Sequence, residues 1–268
     1  MIRQAVVAGS FYPGTPERLR AQAVDLMITE DLPKVRAIGA VVPHAGYIYS
    51  GRVAGAVYAR LAFPDVFVIL GPNHTGLGAG VAIMTYGKWG TPLGQVAIDT
   101  DLAKAILRNS QTIEEDDLGH QREHSIEVQL PLLQARDRPF SFVPICLFSS
   151  EYAVCQDVGL AVARAIAASH RSVLMVASTD MSHYVSQEQA KAKDHLAIDA
   201  ILACDPQRLH RVVGRERITM CGFHPTTALL IAARELGATS AELISYATSA
   251  DVTKDDSSVV GYAGLIIK

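Results

Sequence analysis

The sequence predicts an α/β fold: a mixed, largely parallel central sheet with helices on both faces. Three observations predict it. Residues 37–42, 66–70 and 172–177 are apolar runs without polar alternation, as expected of strands buried on both faces. Helical patterns alternate with strand patterns along the chain, which is the order of a sheet covered by helices. Finally, 268 residues, 49% of them hydrophobic and 19% charged, can bury such a sheet in one unit, so residues 1–268 are expected to form a single domain.

Taken in order, residues 37–42 read as the first buried strand and residues 50–61 as a helix capped by Ser50. A second strand, 66–70, leads through a Gly/Pro-rich stretch to a hairpin at 86–95 and a helix at 100–108. Residues 123–134 carry a helix-like apolar pattern that Pro131 interrupts. Residues 140–147 are strand-like, 152–169 form an alanine-rich helix, and 172–177 are the third buried strand. Helices at 187–203 and 225–236 follow, and strands at 241–248 and 259–267 close the chain. No repeat or Pro/Gly/Ser linker marks a boundary.

Composition excludes several functions. The 24 basic and 27 acidic residues are dispersed, with no basic run to neutralise a row of phosphates, so nucleic acid is not expected as a partner. No apolar run reaches bilayer length and the first residues lack the apolar stretch of a secretory signal, so no membrane partner and a cytoplasmic location are expected. The four cysteines, Cys146, Cys155, Cys204 and Cys221, lack CxxC spacing and are expected to be reduced thiols.

The chemistry gathers where strands end. The first strand runs into Pro43-His44-Ala45-Gly46-Tyr47, the second into Gly71-Pro72-Asn73-His74, and the third into Ser178-Thr179-Asp180-Met181-Ser182-His183. Taken singly, each histidine is most simply a hydrogen-bonded loop residue. Three junctions at one sheet edge are the arrangement required when imidazoles converge on an ion, because ligands of open α/β sheets bind beyond the carboxyl ends of the strands. Cys221, just before a predicted helix, is the candidate thiolate: the helix dipole would lower its pKa, although an inert buried cysteine is the plain alternative. His224 beside it reads as a loop-fixing group. His120-Gln-Arg-Glu123-His124 has the HxxEH spacing of inverted zinc proteases, but the acidic run before it suggests that the helix begins near Glu123 and leaves His120 outside. Tyr47, Glu123 and His124 are expected to face a substrate. No Walker loop, GxGxxG or GxSxG elbow is present.

Seven segments in order, Ala8-Gly-Ser-Phe-Tyr-Pro13, Pro43-His-Ala-Gly-Tyr-Ile-Tyr-Ser-Gly51, Gly71-Pro-Asn-His74, Glu123-His-Ser-Ile-Glu-Val-Gln-Leu-Pro131, Thr179-Asp-Met-Ser-His-Tyr184, Cys221-Gly222 and Ser257-Ser-Val-Val-Gly-Tyr262, resemble the Memo family. Its bacterial and archaeal members are called AmmeMemoRadiSam system protein B. The resemblance implies a fold like that of class III extradiol dioxygenases, with His44, His74 and Cys221 as metal ligands and Asp180 and His183 as catalytic polar groups. The dioxygenases use a carboxylate where this chain has Cys221, which departs from the oxygen-activating 2-His-1-carboxylate set. Fe(II) is the expected metal, with copper or zinc as alternatives. A redox or oxygen-linked step on a small molecule is the leading reading. The others are a binding or adaptor protein holding a peptide in the same pocket, and a zinc hydrolase built on His120, Glu123 and His124. The family name further implies AMMECR-type and radical SAM proteins as partners.

Overall fold

The computed structural model describes residues 1–27, 33–148 and 151–268. The elements run β1 (Ile2–Arg3), α1 (Pro16–Leu26), β2 (Gly39–Val42), α2 (Tyr47–Arg60), β3 (Val66–Pro72), β4 (Val81–Ile83), β5 (Lys88–Thr91), β6 (Gly94–Ile98) and α3 (Thr100–Asn109). Then come β7 (Glu114–Glu115), α4 (Leu118–Gln121), α5 (Gln129–Gln134), β8 (Ser141–Leu147), α6 (Tyr152–Ala167), β9 (Val173–Ser178), β10 (His183–Val185) and α7 (Gln187–Leu202). The chain finishes with α8 (Pro206–Arg215), α9 (Phe223–Glu235), β11 (Ala241–Thr248), α10 (Ala250–Thr253) and β12 (Val259–Ile267).

The predicted α/β architecture is present. β8, β3, β9 and β2 lie side by side and parallel, while β12 joins β2 antiparallel and β11 joins β12. Helices cover both faces, and two glycines show which helix lies where. Ala40 pairs with Ile266, so Gly264 shares Ala40's face and Gly39 looks the other way. A Cβ on Gly39 would meet Leu229 of α9 at 2.9 Å, whereas one on Gly264 would meet Val57 of α2 at 2.5 Å. The absence of polar alternation in β3 follows from this sandwiching. Val66 through Leu70 are each at most 1% exposed, and burying each of those side chains contributes about 1.5–3 kcal/mol as an upper bound. The strand ends that carry the histidines are therefore fixed points.

Several boundaries differ from the sequence reading. Ser50 does not cap α2, which starts at Tyr47 behind Gly46; the Ser50 hydroxyl donates to Ala45 O at 3.0 Å inside the first turn. Residues 125–128 are turns, and only Gln129–Gln134 is helical, with Pro131 in the first turn where its missing N–H costs nothing. The sequence reading omitted α1 and α8, although each has a polar cap followed by proline: Thr15-Pro16, and Asp205-Pro206 with the Asp205 carboxylate accepting from Arg208 N at 2.9 Å.

Candidate metal centre

Neighbouring strands deliver the site. In the order β3-β9-β2, the ends carry His74, then Ser178 followed by Asp180, then His44. Cys221 arrives from the loop before α9. That loop packs tightly on the end of β9: a Cβ on Gly222 would lie 2.4 Å from Ser178 O, and the Gly222 N–H donates to Thr179 Oγ1 at 2.9 Å. Ligating atoms of His44, His74 and Cys221 all lie within 4.8 Å of one another, with His44 Nε2 3.4 Å from Cys221 Sγ. Donors around one tetrahedral ion stand roughly 3.5 Å apart. The three residues thus fit a shared cation.

The hydrogen bonds decide which ring nitrogens are free. Ser178 has one hydroxyl proton, and Ser125 O accepts it at 2.6 Å. Gln129 Nε2 donates to the same hydroxyl at 2.8 Å, so toward His44 Nδ1, 2.9 Å away, Ser178 can only accept. His44 therefore carries its proton on Nδ1 and turns the Nε2 lone pair to Cys221. Gln129 is held in turn by Tyr58, whose hydroxyl donates to Oε1 at 2.7 Å, and by Pro43 O, which accepts from Nε2 at 3.0 Å. His74 follows the same logic. Its Nδ1 faces Glu123 Oε1 at 2.9 Å, and its backbone N–H donates to Glu123 Oε2 at 2.5 Å, leaving Nε2 as the ligand atom. Burial by itself would raise the Glu123 carboxyl, yet the bond from His74 and the neighbouring imidazoles outweigh it and hold it down at about 2.

Burial, followed by the charges of His124, His74 and His183, pushes His44 well below the ordinary histidine range, so its ring is neutral. Asp180 accepts the His44 N–H at 2.8 Å, and burial holds its carboxyl up at about 6 against that hydrogen bond and the charge of His183. Cys221 corrects the sequence expectation. Although it precedes α9, desolvation and the Asp180 carboxylate push its thiol far above the ordinary range. The Asp180 N–H at 3.2 Å compensates only in part, so a thiolate here would need a cation beside it.

The pocket above these groups has a volume of about 470 Å³ and is walled by Phe11, His124, His183, Tyr184, Thr219 and Tyr262 as well as the three candidate ligands and Asp180. His183 Nδ1 donates to Thr219 O at 2.8 Å, which leaves Nε2 as its basic nitrogen. Tyr184 at the rim is 81% exposed and holds a left-handed φ of 58°, a strained state for a tyrosine.

Two of the expected substrate contacts are corrected. Tyr47 is 2% exposed, does not wall the pocket, and donates its hydroxyl to Val128 O at 2.7 Å. Glu123 is fully buried beneath His74 and holds that ring rather than facing a substrate. His124 does line the pocket, stacked on His74 with ring centroids 4.6 Å apart. The zinc-protease arrangement is not assembled: His120 sits in the short α4, fully buried, with Nε2 on Ala82 O at 3.2 Å and its ring against Trp89. Instead, His74, Glu123 and His124 form a second close group, already tied together by hydrogen bonds. His224 lies outside the pocket, packed on Phe223. Sequence reasoning missed Ser178, Gln129 and the pocket wall Phe11. The segments carrying them had been noted, but no spacing rule shows that a serine at a strand end accepts from a histidine.

Known proteins resemble this chain over nearly its whole length. The family described as Memo-like protein matches residues 3–266. A MEMO1 family protein of Methanococcoides burtonii is 46% identical over 268 residues, covering all of both chains. Another from Methanothermobacter thermautotrophicus is 45% identical over 276 residues, covering 99% of this chain and 100% of its own. Among solved structures, an uncharacterized protein of Escherichia coli superposes with a TM-score of 0.54 over 86% of this chain and 100% of its own, at 13% identity, which is a likeness of fold.

Proposed function

This chain belongs to the Memo-like protein family, and on that premise we propose that it is a metalloprotein in which His44, His74 and Cys221 hold one divalent or redox metal for a redox or oxygen-linked step on a small molecule. Fe(II) is the first choice, with copper or zinc as alternatives for a two-imidazole, one-thiolate set. The observation that carries the reading is the pair of tautomer locks, Ser178 on His44 and Glu123 on His74, each leaving an Nε2 lone pair free. A packing imidazole would also need its N–H bonded; the locks point to an ion because the ligating atoms of both rings converge with that of Cys221 within 4.8 Å of one another.

Such a metal, when bound, supplies Lewis-acid polarisation of a substrate oxygen and, for iron or copper, a redox couple. The chain's own groups do the rest. His183, with Nε2 free, takes a proton from a hydroxyl in the pocket, and the buried Asp180 stabilises the charge this creates. Phe11 and Tyr262 supply apolar walls that favour a flat, weakly hydrated molecule.

Elemental analysis after oxygen-free purification tests this. Wild type should carry about one metal per chain, and His44→Ala/His74→Ala should lose it. Equal metal in both proteins would overturn the reading. A second reading, a non-enzymatic peptide-binding protein, draws on the exposed rim residue Tyr184, 81% accessible. A folded, metal-free wild type that still bound peptide through this rim would favour it.

A further inference from the structure

We propose that a second cleft, at the amino ends of the parallel strands and walled by Arg36, Arg136, Arg138 and Arg171, binds a small polyanion bearing at least two phosphoryl groups. The cleft encloses about 660 Å³ and is built by four separate segments: the approach to β2, the turn from α2 into β3, the exit of α5 and the entry to β9. It lies at the opposite end of β3 from His74. Seven residues at roughly 3.3 Å each put about 23 Å between the two sites, so this inference does not depend on the metal reading.

Charge is the first argument. With Lys34, five cations line the cleft and no described lining residue is a carboxylate, in a chain whose net charge is −3. Arg171 reaches Asp99 at 3.3 Å and Lys34 donates to Ala59 O at 2.5 Å. Arg36 and Arg138 have no ion pair among the described residues. A half-buried Arg136 beside Arg138 is already pushed down from its ordinary range, first by burial and then by that like charge, so an anion here relieves an existing repulsion.

Preorganisation is the second. The guanidinium carbons of Arg136 and Arg138 lie 5.7 and 5.6 Å from the centroid of the Phe63 ring. Phe63 is itself fixed edge-on against Phe67 and Phe140, at 5.3 and 5.7 Å. Arg136 is held further by donating from Nη1 to Tyr58 O; guanidinium groups stacked on a fixed ring lose little entropy on binding, and their remaining N–H edges have the geometry that takes phosphate oxygens in pairs. A single carboxylate would leave most of this charge unanswered, whereas a diphosphate matches both its amount and its spread.

Calorimetric titration of the full chain at low ionic strength, without divalent metal, tests the assignment with inorganic pyrophosphate and ADP as probes. Wild type should bind pyrophosphate one to one. Arg36→Ala/Arg138→Ala, both exposed positions, should keep the melting temperature and weaken binding about tenfold or more. His44→Ala/His74→Ala should bind as wild type does. Equal affinity for both probes, or tighter ADP, supports the proposal, the latter adding a nucleoside contact. Absence of binding by either probe, undiminished binding in the arginine variant, or loss of binding in the histidine variant when its melting transition shows it folded at the titration temperature would overturn it; should the double variant not fold, the single His74→Ala variant takes its place.

Discussion

One carboxylate fixes both the main chain and the ring of a candidate ligand: Glu123 accepts from His74 N at 2.5 Å with one oxygen and faces His74 Nδ1 at 2.9 Å with the other. Glu123→Gln should retain the fold yet weaken metal binding about 10–100-fold, because the neutral amide makes the imidazole a poorer donor. Chelator competition on the folded variant measures this. An affinity equal to wild type would show that His74 is not a ligand.

The His44 lock runs through Ser178. Removing its hydroxyl in Ser178→Ala leaves Nδ1–H and Gln129 Nε2 short of an acceptor in a fully buried place, a cost of about 1–3 kcal/mol. Metal affinity should fall together with melting temperature. If only the melting temperature fell, Ser178 would be a packing residue and the tautomer argument would fail.

Cys221 separates two accounts of the pocket. As a ligand, Cys221→Ser should bind Fe(II) more weakly than Cys221→Asp, since a neutral hydroxyl is a poor ligand and the aspartate rebuilds a two-histidine, one-carboxylate set. As an inert residue, the order reverses: serine is tolerated, while an aspartate beside Asp180 costs several kcal/mol of stability. Fe(II) affinity and melting temperature on the same three proteins decide between them.

His120 gives a pH signature that does not involve the proposed ligands. Burial lowers its pKa from 6.5 to about 4, and its Nδ1 has no partner for a second proton. Between those values the unfolded chain binds a proton that the folded chain refuses. The stability this contributes is complete above about 6.5 and lost as pH falls toward 4, on the order of 3 kcal/mol. His120→Leu should therefore lose less melting temperature than wild type between pH 7 and pH 4.5. It should also keep its metal, whereas His74→Ala should not.

The sheet and the edge where chemistry gathers were legible because apolar runs and the strand-end rule are local signals: β3 and His74 follow from adjacent residues. The buried, structural roles of Tyr47 and Glu123 were not, because the direction of a side chain depends on contacts as distant in sequence as Tyr47 with Val128 and Glu123 with His74. The thiol of Cys221 misled for a related reason. A helix start is visible in sequence, but the opposing charge of Asp180, 41 residues away, is not.

The pocket divides into a floor and a rim with different tolerance for change. His44, His74 and Asp180 stand at the ends of buried strands, where a substitution removes groups that are themselves buried and paired, His44 and Asp180, or that hold a buried carboxylate, as the more exposed His74 holds Glu123, at several kcal/mol. Tyr184, projecting at 81% exposure from a three-residue end strand, can be replaced at about 0.5 kcal/mol or less, and its strained backbone even favours some replacements. Mutational drift would thus reach the rim long before the floor. Chains built on this plan can diverge in what they admit while keeping the same ion-holding geometry, so selectivity is the trait most open to evolution and the metal set the least.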